Sequence, residues 1–234
     1  MPLDSLLSAN MEQVLSFRLL SNKDEPMDEG TIILLNGTSS AGKTLITKTL
    51  QETLDGNYIH TGIDHYLQSV PEKFSVTASV IDPPTAEGIL WLTGNDGRIT
   101  EIRLGPVGYR LLKGMYWAIA ALASVGNNVI VDDVIFDPKV LREAVSTLHL
   151  FNVLFVGVRC PLEVAERREQ ERGDRRAGLV KTTFPLVHRH GIYDLEVDTS
   201  VSSSMECALQ IKQRLQNGAI PTAFSELYRK LASD

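Results

Sequence analysis

Gly37-Thr38-Ser39-Ser40-Ala41-Gly42-Lys43-Thr44 has the form G-x-x-x-x-G-K-[ST], and its flanks supply the context that this pattern requires. Before it, Thr31-Ile32-Ile33-Leu34-Leu35-Asn36 is a β-branched and aliphatic run, the composition of a strand buried on both faces. After it, Ile46, Leu50 and Leu54 recur four apart, an apolar stripe along one side of a helix. Strand, glycine loop and helix in that order form a phosphate cradle. The glycines let backbone N–H groups turn inward without Cβ clashes, and the helix N-terminus adds partial positive charge. Lys43 is placed to reach the outer phosphates and Thr44 to offer its hydroxyl to Mg2+, so the eight residues predict a bound nucleoside triphosphate.

The rest of the 234-residue chain repeats the alternation. Strands are expected within 57–64, 127–134, 152–160 and 194–199, and helices over 107–125 and 162–171. Strands alternating with helices predict an α/β fold: a parallel sheet covered on both faces, hence three layers. Ile89-Leu90-Trp91-Leu92-Thr93 and Arg98-Ile99-Thr100-Glu101-Ile102, joined by Gly94-Asn95-Asp96-Gly97, read as a β-hairpin inserted outside that sheet. Residues 1–29 read as an appended helix and linker, with Leu6, Leu7, Met11, Val14, Leu15 and Phe17 at near-helical spacing. The main domain is expected over 30–216 and a helical tail over 217–234.

Hydrophobic residues make up 43% and charged residues 22% of the chain, enough for a core without disulfides or metal staples. A net charge of −6 gives no general affinity for nucleic acid or anionic membrane, which points to a small-molecule partner. Cys160 and Cys207 have no ligand or C-x-x-C spacing, and the first residues lack the pattern of a Sec-type signal peptide, so a reduced, cytoplasmic setting is expected. No D-x-x-G switch motif accompanies the loop.

In open parallel sheets the ligand lies beyond the carboxyl ends of the strands. Thr61-Gly62-Ile63-Asp64 therefore brings Asp64 to the crevice, where a carboxylate can orient an attacking hydroxyl and take its proton; the competing assignment is an N-cap for a helix starting at His65. Asn128-Val129-Ile130-Val131-Asp132-Asp133 ends the next strand on two acids. Because strand side chains alternate, one of Asp132 and Asp133 is expected to hold Mg2+ with Thr44. Arg168, Arg172, Arg175 and Arg176 share one helical face, and Gly173 and Gly178 bracket part of this set as a lid over 166–178 would require. These arginines can neutralise phosphate charge, although interleaved acids also fit a solvated helix surface. His188 and His190 read as structural residues of a turn, and Trp117 as core or acceptor pocket.

The P-loop, Gly62-Ile63-Asp64, Ile130-Val131-Asp132-Asp133-Val134, Val156-Gly157-Val158-Arg159-Cys160, Arg172-Gly173-Asp174-Arg175 and Tyr193-Asp194-Leu195-Glu196-Val197-Asp198-Thr199 together resemble the chloramphenicol phosphotransferase family over 31–215. The resemblance implies a P-loop kinase fold with a five-stranded parallel sheet and transfer of the γ-phosphoryl group of ATP to a hydroxyl. It also implies that Asp64 is the base, that Lys43 and Thr44 serve phosphate and Mg2+, and that Arg172 and Arg175 belong to the lid. Arg176 joins the nucleotide-binding set on its spacing alone. The region 74–106, expected to help enclose the acceptor, matches least. Two other classes therefore stay open: a kinase of a macromolecule or nucleotide sugar, and a nucleotide-dependent switch without acceptor.

Overall fold

The computed structural model describes residues 29–85, 87–173 and 176–233, so the expected N-terminal helix and Arg175 lie outside the described residues. Its elements run β1 (Ile32–Asn36), α1 (Lys43–Thr53), β2 (Tyr58–Gly62), α2 (Ile63–Gln68), a 3-10 turn (Glu72–Phe74), β3 (Ser75–Ser79), β4 (Ile89–Thr93), β5 (Ile99–Leu104), α3 (Pro106–Ser124), β6 (Asn128–Asp133), α4 (Pro138–Leu148), β7 (Val153–Arg159), α5 (Leu162–Arg172), α6 (Leu179–Thr183), β8 (Leu195–Asp198), α7 (Ser204–Gln216) and α8 (Ala223–Ser233).

Five strands form a parallel sheet in the order β2-β6-β1-β7-β8, the parallel sheet expected from the alternation with the five strands that the family resemblance implies. The period-two geometry of strands divides its core. Ile32 and Leu34 of β1, Val129 and Val131 of β6, and Val153 and Phe155 of β7 face α3, α4 and α8. Ile33, Leu35, Ile130, Leu154 and Val156 face α1, α5 and α7. All these side chains are at most 2% exposed, which explains why the strands read as continuous apolar runs rather than as alternating ones.

Local signals set several helix starts. Asp137 caps α4 by accepting from Lys139 N, with Pro138 at the first helical position. Ser203 and Glu206 form a reciprocal capping box at α7. Residues 217–234, read as a tail, supply α8, whose Phe224 and Leu227 enter the core and whose Tyr228 stacks on His149 at 3.7 Å. Asp194 fixes its entry: Oδ1 accepts from Thr222 N and Ala223 N, while Oδ2 accepts from Phe155 N of the central sheet.

The predicted hairpin is β4 and β5, antiparallel across Gly94–Gly97, with Gly97 at φ 74° in the turn. The structure adds β3, which pairs parallel to β4 and makes a second, three-stranded sheet. Ser75-Val76-Thr77-Ala78-Ser79 is short, small and polar, so its composition gave no strand signal. This sheet packs Ile89, Trp91 and Ile99 against Leu67 and Val70, next to the helix that carries Asp64.

Candidate active site

Pairing of β1, β2 and β6 gathers their carboxyl ends. Asn36 lies beside Asp133, Leu35 beside Asp132, and Gly62 beside Asp132 on its other edge. The loop from Gly37 to α1 therefore opens onto the same crevice as Ile63-Asp64. A cavity of about 750 Å3 fills that crevice, lined by Ser39, Ser40, Gly42, Lys43, Thr44, Asp64, Asp132, Arg168 and Arg172 among others.

The loop is held in an uncommon conformation. Ser40 has φ 58° and Gly42 φ 93°, so the chain passes through the left-handed region twice before α1 begins. A Cβ at Gly37 would lie 2.5 Å from Val158 O, so this close approach to β7 admits only glycine. The Thr38 hydroxyl points away from the cavity to Thr183 Oγ1 at 2.7 Å, and Ala41 is buried in the core. Gly37, Thr38 and Ala41 thus frame the loop, whereas Ser39, Ser40, Gly42, Lys43 and Thr44 face the cavity. The Ser40 hydroxyl is a buried polar atom with no protein hydrogen-bond partner.

Lys43, only 6% exposed, donates to the Gly37 and Thr38 carbonyls at 2.9 and 2.8 Å and sits 3.7 Å from Asp132 Oδ1. Thr44 Oγ1 donates to Asp132 Oδ2 at 2.5 Å. The hydroxyl and carboxylate offer two hard oxygen ligands, the donor chemistry that suits Mg2+ shared with phosphates and water. Among the described residues no group of three or more His, Cys, Asp or Glu could hold a metal ion.

Asp133 is placed differently from the expectation that allowed it a metal role. Its side chain is fully buried on the opposite face of β6, where Tyr116 O–H donates to Oδ2 at 2.6 Å and Val134 N to Oδ1 at 2.7 Å. Burial pushes its carboxyl up to about 6 against the pull of those two bonds and of Lys43. The strand parity that aims Asp132 at Thr44 aims Asp133 into the core.

Asp64 lines the cavity from the first turn of α2. The N-cap alternative fails on geometry: the strand ends at Gly62, the helix starts at Ile63, and Gly62 occupies the cap position. Arg172 lines the cavity from the last turn of α5, and Gly173 terminates that helix at φ 65°. Arg176 lies beyond this break, so the periodicity that grouped it with Arg172 does not apply; its guanidinium stacks 4.6 Å from the Trp91 ring, outside the cavity lining. Trp117 lies on α3, likewise outside the lining, with Lys113 Nζ over its ring at 5.6 Å.

Arg168 lines the cavity as its place on the arginine face led one to expect, whereas several of its neighbours there were not selected from sequence. Arg168 is anchored by donating Nη1 to Thr199 Oγ1 at 2.9 Å and Nη2 to Thr199 O at 2.8 Å, and Thr199 in turn donates to Ala41 O at 2.8 Å. Lys48, Ser202, Ser203 and Ser204 also line the cavity. The strand-end rule that selected Asp64 applies equally to Thr199, which follows the last strand of the sheet. Glu169, 6% exposed, accepts from Gly178 N and Val180 N, both at 2.9 Å, fastening α5 to the start of α6. Behind the loop, buried Asn36 donates to Val187 O and Tyr193 O–H and accepts from Ile135 N. His188 Nδ1 contacts Tyr193 O–H at 2.6 Å, and burial lowers both His188 and His190 to about 4. Neither histidine is part of the cavity lining.

Comparison with known proteins shows the family and the fold. A protein of Mycobacterium tuberculosis named "Putative O-phosphotransferase" is 33% identical over 214 residues, covering 88% of this chain and 92% of its own. Among solved structures, the M. tuberculosis APS kinase CysC in complex with AMPPNP and APS superposes with a TM-score of 0.57 at 16% identity, over 80% of this chain and 98% of that one. The Deinococcus radiodurans tunicamycin resistance protein gives 0.51 at 20% identity, over 82% and 98%. At these identities the structural likeness speaks to the fold, which is that of the P-loop kinases. The family described as chloramphenicol phosphotransferase-like protein matches residues 30–216, and the chain belongs to it.

Proposed function

We propose that this phosphotransferase moves the γ-phosphoryl group of ATP to a hydroxyl of a small molecule. The observation that carries the reading is the convergence of Asp64, Lys43, Thr44, Asp132 and Arg172 on one cavity. In this reading the Ser39–Thr44 backbone and Lys43 hold the β- and γ-phosphates, and Lys43 exchanges its loop carbonyls for phosphate oxygens. Thr44 and Asp132 hold Mg2+, which when bound screens charge on the phosphate oxygens. Asp64 orients the acceptor hydroxyl and takes its proton as the new O–P bond forms. The bond between the γ-phosphorus and the bridging oxygen breaks, and ADP leaves. Arg172, with Arg175 from the segment beyond it, neutralises charge on the phosphoryl group in flight.

The net charge of −6 favours a small acceptor over nucleic acid, and chloramphenicol-like alcohols are the first class to test. Cys160 and Cys207, both free and buried, fit action in the reducing cytoplasm. Among the described residues no helix is long and apolar enough to cross a membrane.

The test is incubation with Mg-ATP and a panel of hydroxylated acceptors, chloramphenicol included, read by mass spectrometry for gain of one phosphate. With a verified acceptor, Asp64→Asn should bind nucleotide normally and transfer phosphate on the order of a hundredfold more slowly. Undiminished transfer by that variant would remove Asp64 as the base, and failure across the whole panel would remove the small-molecule reading.

A further inference from the structure

A second pocket, of about 210 Å3, lies on the far side of the loop that follows β6, where residues 135–138, residues 186–190 and α8 meet. Its interior is formed by Ile135, Leu141, Leu186, Leu227 and Leu231. None of these residues lines the phosphate cavity. The wall contributed by α8 comes from a helix beyond the family match. Leu227 and Ile135 are 1% and 3% exposed, so the floor is well packed.

The rim has a sign. Arg189 and Lys230 both line the pocket and both are exposed; Arg189 Nε donates to Pro185 O, which fixes the root of its guanidinium. The acid at the rim is Asp137, whose oxygens are already engaged, Oδ2 by Tyr109 O–H at 2.8 Å and Oδ1 by Lys139 N at 2.7 Å. The mouth therefore presents two cations against one carboxylate, a net positive rim over a largely apolar interior that Phe136 and His190 also line. An apolar cavity of about 150 Å3 is enough to take a benzene ring, so the volume here suits one six-membered ring or a chain of similar size.

We propose that this pocket binds a small amphipathic carboxylate, with its ring or short chain among the leucines and its carboxylate against Arg189 and Lys230. Such a ligand needs no hydroxyl and meets none of the residues that surround the phosphates, so the site is independent of the phosphotransfer chemistry. Salt should weaken it, because the charged contacts are exposed.

Benzoate is a suitable probe, with benzamide as its neutral counterpart. Titrated into leucine-methyl-labelled full-length protein saturated with AMPPNP, benzoate should give saturable shifts of the Leu186, Leu227 and Leu231 methyls. A dissociation constant of about 1–10 mM is expected of a ligand this small. Benzamide should bind several-fold more weakly. The surface variant Arg189→Gln/Lys230→Gln should weaken benzoate about fivefold or more, and Leu227→Trp should abolish the shifts by filling the pocket. Absence of saturable shifts, displacement by AMPPNP, or equal affinity in the double glutamine variant would overturn the proposal. Should Leu227→Trp not fold, the double variant decides alone.

Discussion

Thr44 Oγ1 donates to Asp132 Oδ2 across 2.5 Å, while the other oxygen of the same carboxylate faces Lys43 Nζ at 3.7 Å. Two consecutive residues of the phosphate loop are thus tied to the strand end beside them, and a single carboxylate orders both the hydroxyl and the ammonium. An amide at position 132 keeps an oxygen for the Thr44 hydroxyl but loses the negative charge. Asp132→Asn should therefore fold normally and need about tenfold or more Mg2+ for half-maximal rate, the usual scale for weakening a metal's carboxylate environment. Asp133→Asn should leave the Mg2+ requirement unchanged, since its side chain faces Tyr116. Identical Mg2+ titrations for wild type and Asp132→Asn would remove Asp132 from the metal set.

Arg168 grips Thr199 with two nitrogens, and Thr199 grips the loop at Ala41 O. A lysine keeps the charge but presents a point ammonium instead of a planar fork, so it cannot make both bonds in that geometry. Arg168→Lys should raise the dissociation constant for AMPPNP roughly fivefold to thirtyfold, the equivalent of about 1–2 kcal/mol for one charge-assisted hydrogen bond. Calorimetric titration reads this directly. Wild-type affinity in the variant would mean that the anchor shapes only the outer wall.

The fold was legible because each central strand announces itself: β1, β6 and β7 are buried on both faces, and burial on both faces demands an apolar run with no polar interruption. The glycine-loop motif then located Lys43 and Thr44, and the strand-end rule Asp64. The choice between Asp132 and Asp133 was not legible, because parity says only that the two point apart. It takes the pairing of Ile33 with Ile130 to put Asp132 on the α1 side. Arg176 was misread for a related reason. Helical spacing carried the arginine face past Gly173, where the left-handed backbone ends the helix. Glu169 looked like one more surface acid among arginines, and only the return of the chain at Gly178 gives its carboxylate two buried N–H donors.

Glu169 holds Gly178 N and Val180 N together, and α6 is tied onward through Thr182 Oγ1 to Ile99 O of the small sheet. Glutamine at 169 offers one oxygen where the carboxylate offers two, and its NH2 would face an N–H donor. Glu169→Gln should cost about 1–3 kcal/mol of stability, the penalty of a buried unsatisfied donor. It should also speed proteolysis between Arg172 and Gly178. Urea denaturation and limited trypsinolysis check the two effects; an unchanged midpoint would show that the clamp carries no net stability.

Stability should change with pH below 7 through groups behind the phosphate loop. Burial lowers His188 and His190 to about 4, beneath the ordinary histidine value of 6.5. The unfolded chain then binds more protons than the folded one between about pH 4 and 6.5, so these two residues make stability rise with pH across that window and level off above it. Asp133 acts in the opposite sense. Its carboxyl, raised to about 6 from 3.8, leaves the folded state holding more protons between about pH 4 and 6, so its contribution declines as pH rises through that range and is lost above about 6. Two histidines against one aspartate predict a net rise in melting temperature from pH 5 to pH 7. Asp133→Asn removes the opposing member while its amide oxygen can still accept from Tyr116, so the rise should steepen in that variant; His188→Asn should flatten it. Melting curves at pH 5, 6 and 7 for the three proteins test the balance, and a melting temperature that falls from pH 5 to 7 in the wild type would refute it.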